Sequence, residues 1–316
     1  MSKKPVSVDV LCVGHACFDM VFAVGHHPAV DEKAVASSLV TCGGGPAANA
    51  AVGVSRLGLC SAFCGYLGKD LFGQRCMAEF ASAEVDTGLT ATGIYPTPLS
   101  AILVKPDGRR TVINHRGDTP DLVQLPANGS ALRARVLLMD GHQPQVSLLL
   151  TETLGNTAVT VLDAGSLHHG TRLLMERVDH LVASQNFARQ YSGLTNDQRA
   201  LDCLAEVCPS VVITRGEKGL VWKRKNAVSG SMPAFDIAAV DTTGAGDAFH
   251  AAFAAGIAWG FSWQHLLHFS CAVGALACLK QGARPALPSN SQVIDFLKRR
   301  KGDRELIEIL ARNTPP

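Results

Sequence analysis

The chain has 316 residues, of which 47% are hydrophobic and 18% charged, and its formal net charge at pH 7 is +2. This composition excludes a disordered chain and is typical of one large α/β domain or two smaller ones. The near-neutral charge gives no electrostatic footprint for a nucleic-acid partner. No segment approaches the roughly 18 to 20 consecutive apolar residues that a membrane helix needs, so we expect no membrane association.

The cysteines point to a reducing compartment. Ten cysteines lie mostly inside apolar runs, with no CxxC pair and no cysteine–histidine spacing of a metal site. Such cysteines are expected to be buried and reduced. The N-terminal apolar run is also too short for a secretory signal. We therefore expect a cytoplasmic protein.

The predicted elements alternate between strands and helices. A β-branched apolar run over 8–20 predicts a buried strand, and Pro46 before a run of small residues predicts the start of a helix. A strand over 61–68 and a helix over 70–85 follow. This alternation predicts a doubly wound, mainly parallel α/β sheet with helices on both faces. Helical stretches separate several of four later apolar runs, at 135–141, 157–165, 179–185 and 209–216.

Two segments interrupt this alternation. Residues 21–42 and 97–117 alternate apolar and polar side chains without a helix, and the second contains "KPDGRR", a Pro-Asp-Gly turn typical of a hairpin. We predict that both segments form a small β-sheet lid on an α/β core made of 1–20, 43–96 and 118–316. Because an open β edge tends to find a partner, a homodimer through the lid is a further hypothesis.

The stretch "DTTGAGDAF" carries the chemistry. Gly244 and Gly246, with Ala245 between them, allow several backbone N–H groups to point the same way at the positive end of a helix, which predicts an anion hole. Asp247 beside it can accept a proton from an attacking hydroxyl. Transfer of a phosphoryl group to an alcohol needs both parts. The alternative, that Asp247 only caps its helix, is equally compatible with these residues alone.

Two other nucleotide-binding patterns fit poorly. The Walker pattern GxxxxGK[ST] is absent. Gly43, Gly45 and Ala48 satisfy GxGxxA, but Pro46 occupies a position of that fingerprint and the first strand has already passed. A hydride-transferring enzyme is therefore disfavoured.

Two stretches in this order, "GGGPAANAAVGVSRLG" and "DTTGAGDAFHAAFAAG", resemble the ribokinase-like, or pfkB, family of carbohydrate kinases. The resemblance covers roughly residues 8 to 297 and implies that family's fold and the use of ATP. It also implies that Asp247 is the catalytic base and that the segment 244–246 is the anion hole. The ATP-binding residues that it implies are Thr214, Gly216, Gly219, Thr243 and Gly282.

The cation site departs from the family pattern. Asp241 matches a position associated with Mg²⁺, phosphate or a monovalent cation such as K⁺. However, the N-x-x-E pattern that helps to arrange Mg²⁺ is replaced by "ASQNFARQYSG", which has Arg189 but no glutamate. Either Asn186 substitutes in part or the phosphates hold Mg²⁺. The departure admits an enzyme with weakened turnover.

The acceptor side is implied by the same resemblance. On two lid segments, Lys33 and Asn114 are placed to reach an anionic or hydroxyl group of the sugar. The C-terminal half and "GGGPAA" look most like bacterial ketose-type kinases, including sulfofructose kinases. The arginine expected from that subgroup is missing. His142 lies nearby and is interpreted first as a histidine at the end of a strand. Arg116 would supply a positive charge on the lid. The sugar-binding residues that it implies in the core are Asp19, Gly43, Gly44 and Asn49.

The predicted function is transfer of the γ-phosphate of ATP to a hydroxyl, expected to be primary, of a small sugar. The expected sugar is a ketose such as fructose, or a sulfonated or acidic relative. A nucleoside kinase of the same fold is an alternative; it would stack its base on aromatic residues, for which Phe22 and Tyr95 are the candidates. A regulatory protein that binds sugar or nucleotide with weakened catalysis is the other.

Overall fold

The computed structural model describes residues 6–125, 132–225, 229–300 and 302–313; the remaining parts of the predicted core lie outside the described residues. The strands are β1 (Ser7–Val13), β2 (Cys17–Ala23), β3 (Ser38–Gly44), β4 (Ser61–Cys64), β5 (Tyr66–Gly68), β6 (Ala91–Gly93), β7 (Leu99–Val104), β8 (Arg110–His115), β9 (Arg133–Met139), β10 (Val159–Ala164), β11 (His180–Ser184), β12 (Ser210–Thr214), β13 (Leu220–Arg224) and β14 (Gly230–Met232). The helices are α1 (Pro46–Arg56), α2 (Leu71–Ser82), α3 (Pro144–Leu154), α4 (His169–Leu174), α5 (Gln185–Ser192), α6 (Asp197–Ala205), α7 (Ala245–Ala258), α8 (Trp263–Ala277), α9 (Ala283–Ala286), α10 (Asn290–Arg299) and α11 (Arg304–Arg312).

A large sheet forms the centre of the fold. Within the described residues its order is β14-β13-β12-β11-β10-β9-β1-β4, and every neighbouring pair from β12 to β4 is parallel. The outer pairs β12–β13 and β13–β14 are antiparallel. Since parallel strands share a direction, their carboxyl ends meet at one edge of the sheet, where ligand sites of such sheets lie.

Both faces of this sheet are covered by helices. Along β1, Val10 and Cys12 pack in one hydrophobic cluster with α1, α7 and α8, whereas Leu11 and Val13 pack in another with α3 to α6. Successive side chains of a strand point to opposite faces of the sheet. The apolar residues of β1 therefore contribute to two separate hydrophobic cores. The predicted doubly wound α/β fold is confirmed.

Small residues bring α1 and α7 unusually close. A Cβ added to Gly53 of α1 would lie 2.7 Å from the Cβ of Ala251 in α7, closer than two carbons approach without a shift. Ala248, Ala252 and Ala255 of α7 are also fully buried. The two helices therefore cross at close range.

A separate four-stranded sheet has the order β3-β2-β7-β8. Strands β7 and β8 form the hairpin predicted from "KPDGRR", closed by a 2.9 Å hydrogen bond from the Gly108 amide to the Lys105 carbonyl. The first two strands of this sheet extend a few residues beyond 21–42 on both sides.

The chain passes between the two sheets at Gly14. The run 8–20, predicted as one strand, divides there into β1 and β2, which belong to different sheets. A Cβ at Gly14 would lie on the Asp140 carboxylate, and its φ of 149° favours glycine. The run 61–68 divides in the same way at Gly65, into β4 and β5. Among the helices of the described ranges, none has both the length and the apolarity to cross a bilayer.

Candidate active site

The sequence motifs meet at the carboxyl edge of the parallel strands. Helix α7 begins there, and Asp247 in its first turn accepts a 2.7 Å hydrogen bond from Nδ2 of Asn49, which lies in the first turn of α1. These residues are 198 positions apart in the sequence. The close packing of α1 against α7 is what brings them together.

The start of α7 has the features of an anion site. Gly244 is the N-cap in a left-handed conformation, with φ 74°, and the carbonyl of Thr242 accepts from the Ala245 amide. Among the described residues, none accepts a hydrogen bond from the amides of Gly246 and Asp247. A Cβ on Gly246 would meet nothing within 4 Å. Free amides, a helix dipole and open space at one point together suit a phosphate.

Asp247 is not the cap of its helix. It lies two residues inside the first turn, behind the Gly244 cap, and its carboxylate faces Asn49. The side chain keeps some exposed surface, yet desolvation by the surrounding protein raises the pKa of the Asp247 carboxyl. The hydrogen bond from Asn49 and the electrostatic influence of His250 and Arg110 oppose this rise. A higher pKa makes this carboxylate a stronger proton acceptor.

Asp241 ties together the two loops beside this anion site. Its Oδ1 accepts from the amide and hydroxyl of Thr243, at 2.8 and 2.6 Å, and its Oδ2 accepts from the Gly282 amide at 2.9 Å. The side chain is completely buried. A Cβ on Gly244 would lie 2.6 Å from that of Ala283, so the two loops touch. No group of three or more acidic, histidine or cysteine side chains suited to a metal occurs in the described part of the chain.

Behind Asn49 lies a buried arginine that the sequence analysis missed. Arg284, 2% exposed, donates from Nε to Oδ1 of Asn49 at 3.1 Å and from Nη1 to Oε2 of Glu79 at 2.9 Å. Glu79 in turn accepts from the Gly43 amide. The signal available in the sequence was a lone charge within the otherwise apolar "GARPALP".

The two glycines of the sugar-side motif leave room for these side chains. A Cβ on Gly43 would collide with the Arg284 guanidinium, and one on Gly44 would lie 2.2 Å from Oδ2 of Asp19. Both glycines are buried. Because these glycines have no side chain, the Arg284 guanidinium and the Asp19 carboxylate can approach the backbone closely.

Asp19 lies in β2 of the second sheet and is 4% exposed. Burial raises the pKa of its carboxyl, and hydrogen bonds from Cys17 and Ser100 oppose that rise. The sheet register aligns Asp19 with Ser100 of β7, and Ser100 with Asn114 of β8, so the three form one row across the sheet. Lys33, by contrast, is exposed in the connection between β2 and β3.

The residues predicted on the nucleotide side occupy the end of β12. Thr214 is the last residue of that strand, Gly216 has φ 59° with open space around its Cα, and Gly219 has a carbonyl 2.0 Å from where its Cβ would be. Asn186 is exposed at the start of α5. Arg189, at the position where the glutamate was expected, pairs with Asp197 at 3.3 Å.

A buried histidine–aspartate contact links α7 to the large sheet. His250, three residues after Asp247, has Nδ1 3.2 Å from Oδ2 of Asp163 and 2.6 Å from the Gly246 carbonyl oxygen. Its Nε2 lies 3.1 Å from the carbonyl oxygen of Val182 in β11. Burial raises the pKa of Asp163 to about 7, and the His250 charge opposes this. Sequence reasoning gave these two residues no role.

The hairpin of the second sheet contacts the loop before α7. The hydroxyl of Thr242 donates to the Gly108 carbonyl at 3.1 Å and accepts from Nη1 of Arg110 at 2.8 Å. From the other loop, Nε2 of Gln281 donates to the carbonyl of Val21 in β2 at 3.3 Å. The second sheet therefore lies against both loops that Asp241 ties together.

Comparison with known proteins decides the class. The pattern of the pfkB family carbohydrate kinases matches residues 8–290. The chain belongs to this family. It is similar to a fructokinase of Solanum tuberosum, with 29% identity over 286 residues, which cover 81% of this chain and 86% of that protein. As a pfkB sugar kinase it is a phosphotransferase that acts on a sugar hydroxyl.

Solved ribokinases have the same fold. The ribokinase of Thermotoga maritima has a TM-score of 0.79 at 24% identity and covers 92% of this chain and 99% of its own. That of Arabidopsis thaliana, solved in complex with ribose and ATP, has a TM-score of 0.78 at 22% identity and covers 93% and 99%. The resemblance inferred from the two motifs is confirmed.

Proposed function

We propose that this pfkB kinase transfers the γ-phosphate of ATP to a hydroxyl, expected to be primary, of a small ketose such as fructose or of an acidic relative. The observation that carries the proposal is the Asp247 carboxylate, oriented by Asn49 and adjacent to the free amides at the start of α7. A proton acceptor and an anion site at one point suit phosphoryl transfer to an alcohol. That an Arabidopsis ribokinase was solved with ribose and ATP supports ATP as the donor.

In the proposed step Asp247 accepts the proton of the sugar hydroxyl while the oxygen of that hydroxyl forms a bond to the γ-phosphorus. The bond from that phosphorus to the β–γ bridging oxygen breaks, and ADP leaves with the electron pair. The Gly246 and Asp247 amides donate to the transferring oxygens, and with Gly244 and Ala245 they form the anion hole. Bound Mg²⁺ would supply charge neutralisation to the phosphates, and K⁺ beside the Asp241 loops is part of the same hypothesis.

The remaining site residues are divided between sugar binding and ATP binding. The second sheet acts as a lid on the core, and Asp19, Asn49 and Asn114 bind sugar hydroxyls, with Lys33 entering only if its connection moves inward. Lid contacts such as Arg110 to Thr242 exclude water from the reaction. Gly43 and Gly44 serve the sugar side by admitting Arg284 and Asp19. The residues assigned to ATP are Thr214, Gly216, Gly219, Thr243 and Gly282.

The cysteines and the edge of the second sheet suggest where the enzyme acts and how it assembles. Ten free cysteines, most of them buried, fit the reducing cytoplasm. Strand β8 is exposed along its whole length at an edge of the second sheet, which suits pairing with a second copy. No feature of the described surface favours a nucleic-acid or membrane partner.

The test is an ADP-release screen with ATP and Mg²⁺, with and without K⁺, across fructose, sulfofructose, ribose, 2-keto-3-deoxygluconate and several nucleosides. One sugar giving turnover that disappears in Asp247→Asn would support the proposal. Turnover only with a nucleoside would keep the mechanism and replace the acceptor. If ATP binds but no compound is turned over, the proposed acceptor fails. A sugar outside this panel or a regulatory binding protein then replaces it, and the Arg189–Asp197 pair at the altered magnesium pattern would explain the latter.

A further inference from the structure

His250 lies about one helical turn after the proposed base. It follows Asp247 by three residues, so the two side chains leave the same side of α7. His250 is 4% exposed, and Asp163, which it contacts, is 7% exposed. No step of the proposed transfer uses either residue. A buried titratable pair this close to a reacting carboxylate can act on it through its charge and through the backbone.

Both ring nitrogens of His250 face oxygen atoms that can only accept a hydrogen bond. Nδ1 lies 2.6 Å from the carbonyl oxygen of Gly246, and Nε2 lies 3.1 Å from that of Val182. A peptide carbonyl has lone pairs and no proton, so each contact is a hydrogen bond only if the ring nitrogen carries the proton. Two such contacts require both nitrogens to be protonated, which makes the ring an imidazolium.

The neutral forms of the ring fit these contacts poorly. A single proton would leave the lone pair of the other nitrogen against a carbonyl oxygen, and the 2.6 Å separation at Gly246 is that of a strong hydrogen bond. Moving a proton to Asp163 does not relieve this conflict. Its hydroxyl would donate to Nδ1 and leave no proton between Nδ1 and the Gly246 oxygen. The carbonyl contacts therefore place the proton on the ring.

Asp163 supplies the opposite charge. Its Oδ2 lies 3.2 Å from Nδ1 of His250, near the carboxyl end of β10. Burial raises the pKa of the Asp163 carboxyl to about 7, and the influence of His250 opposes this rise, whereas Asp247 and Asp140 add to it. A buried charge is costly unless it is paired. The imidazolium and this carboxylate therefore stabilise each other.

The contact with Gly246 reaches the anion site through one peptide group. The carbonyl of Gly246 and the amide of Asp247 belong to the same trans peptide and point in opposite directions. A charged donor on the carbonyl thus fixes the direction of that amide, which is one of the two amides proposed for the anion hole. Hydrogen bonds in series polarise one another, so the imidazolium should also make this amide a stronger donor.

The ring also acts on the carboxylate of Asp247. Burial raises the pKa of this carboxyl, and the hydrogen bond from Asn49 and the influence of His250 oppose the rise. A general base must be ionised before it accepts a proton, so loss of the ring charge should reduce the ionised fraction. The other charged groups that interact with Asp247 are Arg110 of β8, which lowers its pKa, Asp140 after β9, which raises it, and Asp19 of β2, whose own pKa Asp247 raises.

We propose that His250 is a positioning residue for phosphoryl transfer and acts as an imidazolium balanced by Asp163. It directs the Asp247 amide toward the transferring phosphoryl group and favours the ionised form of the Asp247 carboxylate. One ring thereby acts on the anion hole and on the base together. This inference rests on the proposed function and deepens it.

The first test needs no turnover. Nuclear magnetic resonance of the whole chain with 15N-labelled histidine distinguishes a doubly protonated ring, whose two nitrogens give similar signals, from a neutral ring, whose nitrogens differ. The signals of His250 are those that disappear in His250→Gln. We expect a doubly protonated ring at pH 7 and a smaller doubly protonated fraction in Asp163→Asn. A neutral ring at pH 7, or an unchanged fraction in Asp163→Asn, would overturn the inference.

The second test follows Asp247. Carboxyl 13C signals of aspartate-labelled protein report its ionisation without substrate and are assigned by their loss in Asp247→Asn. His250→Gln keeps a hydrogen-bond donor but not the charge, so Asp247 should ionise at a higher pH in this variant. The acid limb of the kcat–pH profile should move in the same direction. At its optimum kcat should fall about 10- to 100-fold, at most the loss of one oxyanion donor, with a smaller change in KM for ATP.

The control is a histidine–aspartate contact of the same length elsewhere. Nε2 of His265 in α8 lies 3.2 Å from Oδ2 of Asp303, the N-cap of α11, and His265→Gln should leave the ionisation of Asp247 and the pH profile unchanged. Circular dichroism shows whether each variant is folded, and His250→Asn takes the place of His250→Gln if the latter is not.

The outcomes separate this inference from the proposed function. If Asp247 ionises at an unchanged pH in the folded His250 variant, the positioning role is refuted even when kcat falls. Near-normal turnover of Asp247→Asn would instead refute the proposed base, and the two resonance measurements would still report the charge of His250 and its effect on Asp247.

Discussion

Arg284 donates from its Nε to Oδ1 of Asn49 at 3.1 Å, and this contact decides which end of the Asn49 amide faces Asp247. An amide has one accepting and one donating end. With the guanidinium on Oδ1, Nδ2 is left to donate to Oδ2 of Asp247 at 2.7 Å. Arg284 thereby acts on the proposed base through a single side chain, without touching it.

Asp247→Asn is expected to lower kcat by about 10²- to 10⁴-fold, the usual contribution of a general base. Affinity for ATP should change little, because the amides of the anion site remain. ADP release measures the first and calorimetric titration the second. Asp236→Asn, at an exposed aspartate, should behave as the parent protein. Near-normal turnover in Asp247→Asn would contradict the assignment of the base.

Asn49→Ala is expected to move the acid limb of the kcat–pH profile to higher pH. The hydrogen bond from Asn49 lowers the pKa of Asp247, against the rise caused by burial, so its loss should raise that pKa further. Asp247 works only when deprotonated, and activity should therefore be lost at a higher pH as the solution is acidified. Rates at saturating substrate from about pH 5 to about pH 9 give the profile. An acid limb that stays in place or moves to lower pH would contradict the effect of Asn49 on the pKa of Asp247.

Arg284→Met is expected to lower the free energy of unfolding by roughly 2 kcal/mol or more and to reduce kcat. Breaking a fully buried ion pair costs about 3–5 kcal/mol, and the loss should be smaller here because the Glu79 side chain is 34% exposed. Denaturant titration and steady-state kinetics measure the two effects. Arg312→Met breaks an exposed pair with Glu308 and is the control. A stability loss no larger than that of the control would refute the argument.

Gly44→Ala is expected to lower kcat/KM for the sugar by about 10- to 100-fold, since small displacements of positioning groups have effects of this size. The new Cβ would lie 2.2 Å from Oδ2 of Asp19 and must displace that carboxylate. At Gly25 a Cβ would meet nothing within 4 Å, so Gly25→Ala is the matched control. Kinetics at fixed saturating ATP would reveal the difference. The idea fails if the two variants are alike.

Arg110→Gln is expected to increase ATP hydrolysis relative to sugar phosphorylation by about two- to tenfold, the effect of one lost hydrogen bond. Its contact with Thr242 holds the hairpin against the loop before α7, and a looser hairpin admits water. The measurement compares ADP released with sugar phosphate formed. In Arg109→Gln, where the neighbouring exposed arginine is 3.8 Å from Asp107, the ratio should not change. An unchanged ratio in Arg110→Gln would argue against a role in excluding water.

The sequence predicted best what depends on local chemistry. The start of α7 follows from glycines next to a helix, and Gly244 indeed adopts a left-handed conformation as the N-cap. The hairpin at "KPDGRR" follows from its turn residues. Both features are determined by residues that are neighbours in the sequence. The predicted fold and family are also confirmed.

What the sequence could not show depends on distant partners. The contacts of Arg284 with Asn49 and Glu79 span 235 and 205 positions in the sequence. No local sequence pattern around one of these residues predicts its contact with the others. The same holds at Gly14, where the strand divides and the Asp140 carboxylate, 126 positions away, occupies the space that a Cβ would need. Gly43 and Gly44 were expected to offer bare backbone to the sugar, and the structure fills the space beside them with side chains. The roles of these residues toward substrates stay predictions.

The contact between Gly53 and Ala251 has a practical consequence for variants of this protein. The distance between α1 and α7, and with it the registration of Asn49 on Asp247, depends on two residues that carry no functional group. A single methyl group added at Gly53 would act as a wedge between the helices. A variant of this protein with every motif residue intact but a bulkier side chain at Gly53 is therefore expected to have lowered activity, because α1 and α7 must move apart. Intact motif residues alone would therefore not secure full activity in a variant of this protein.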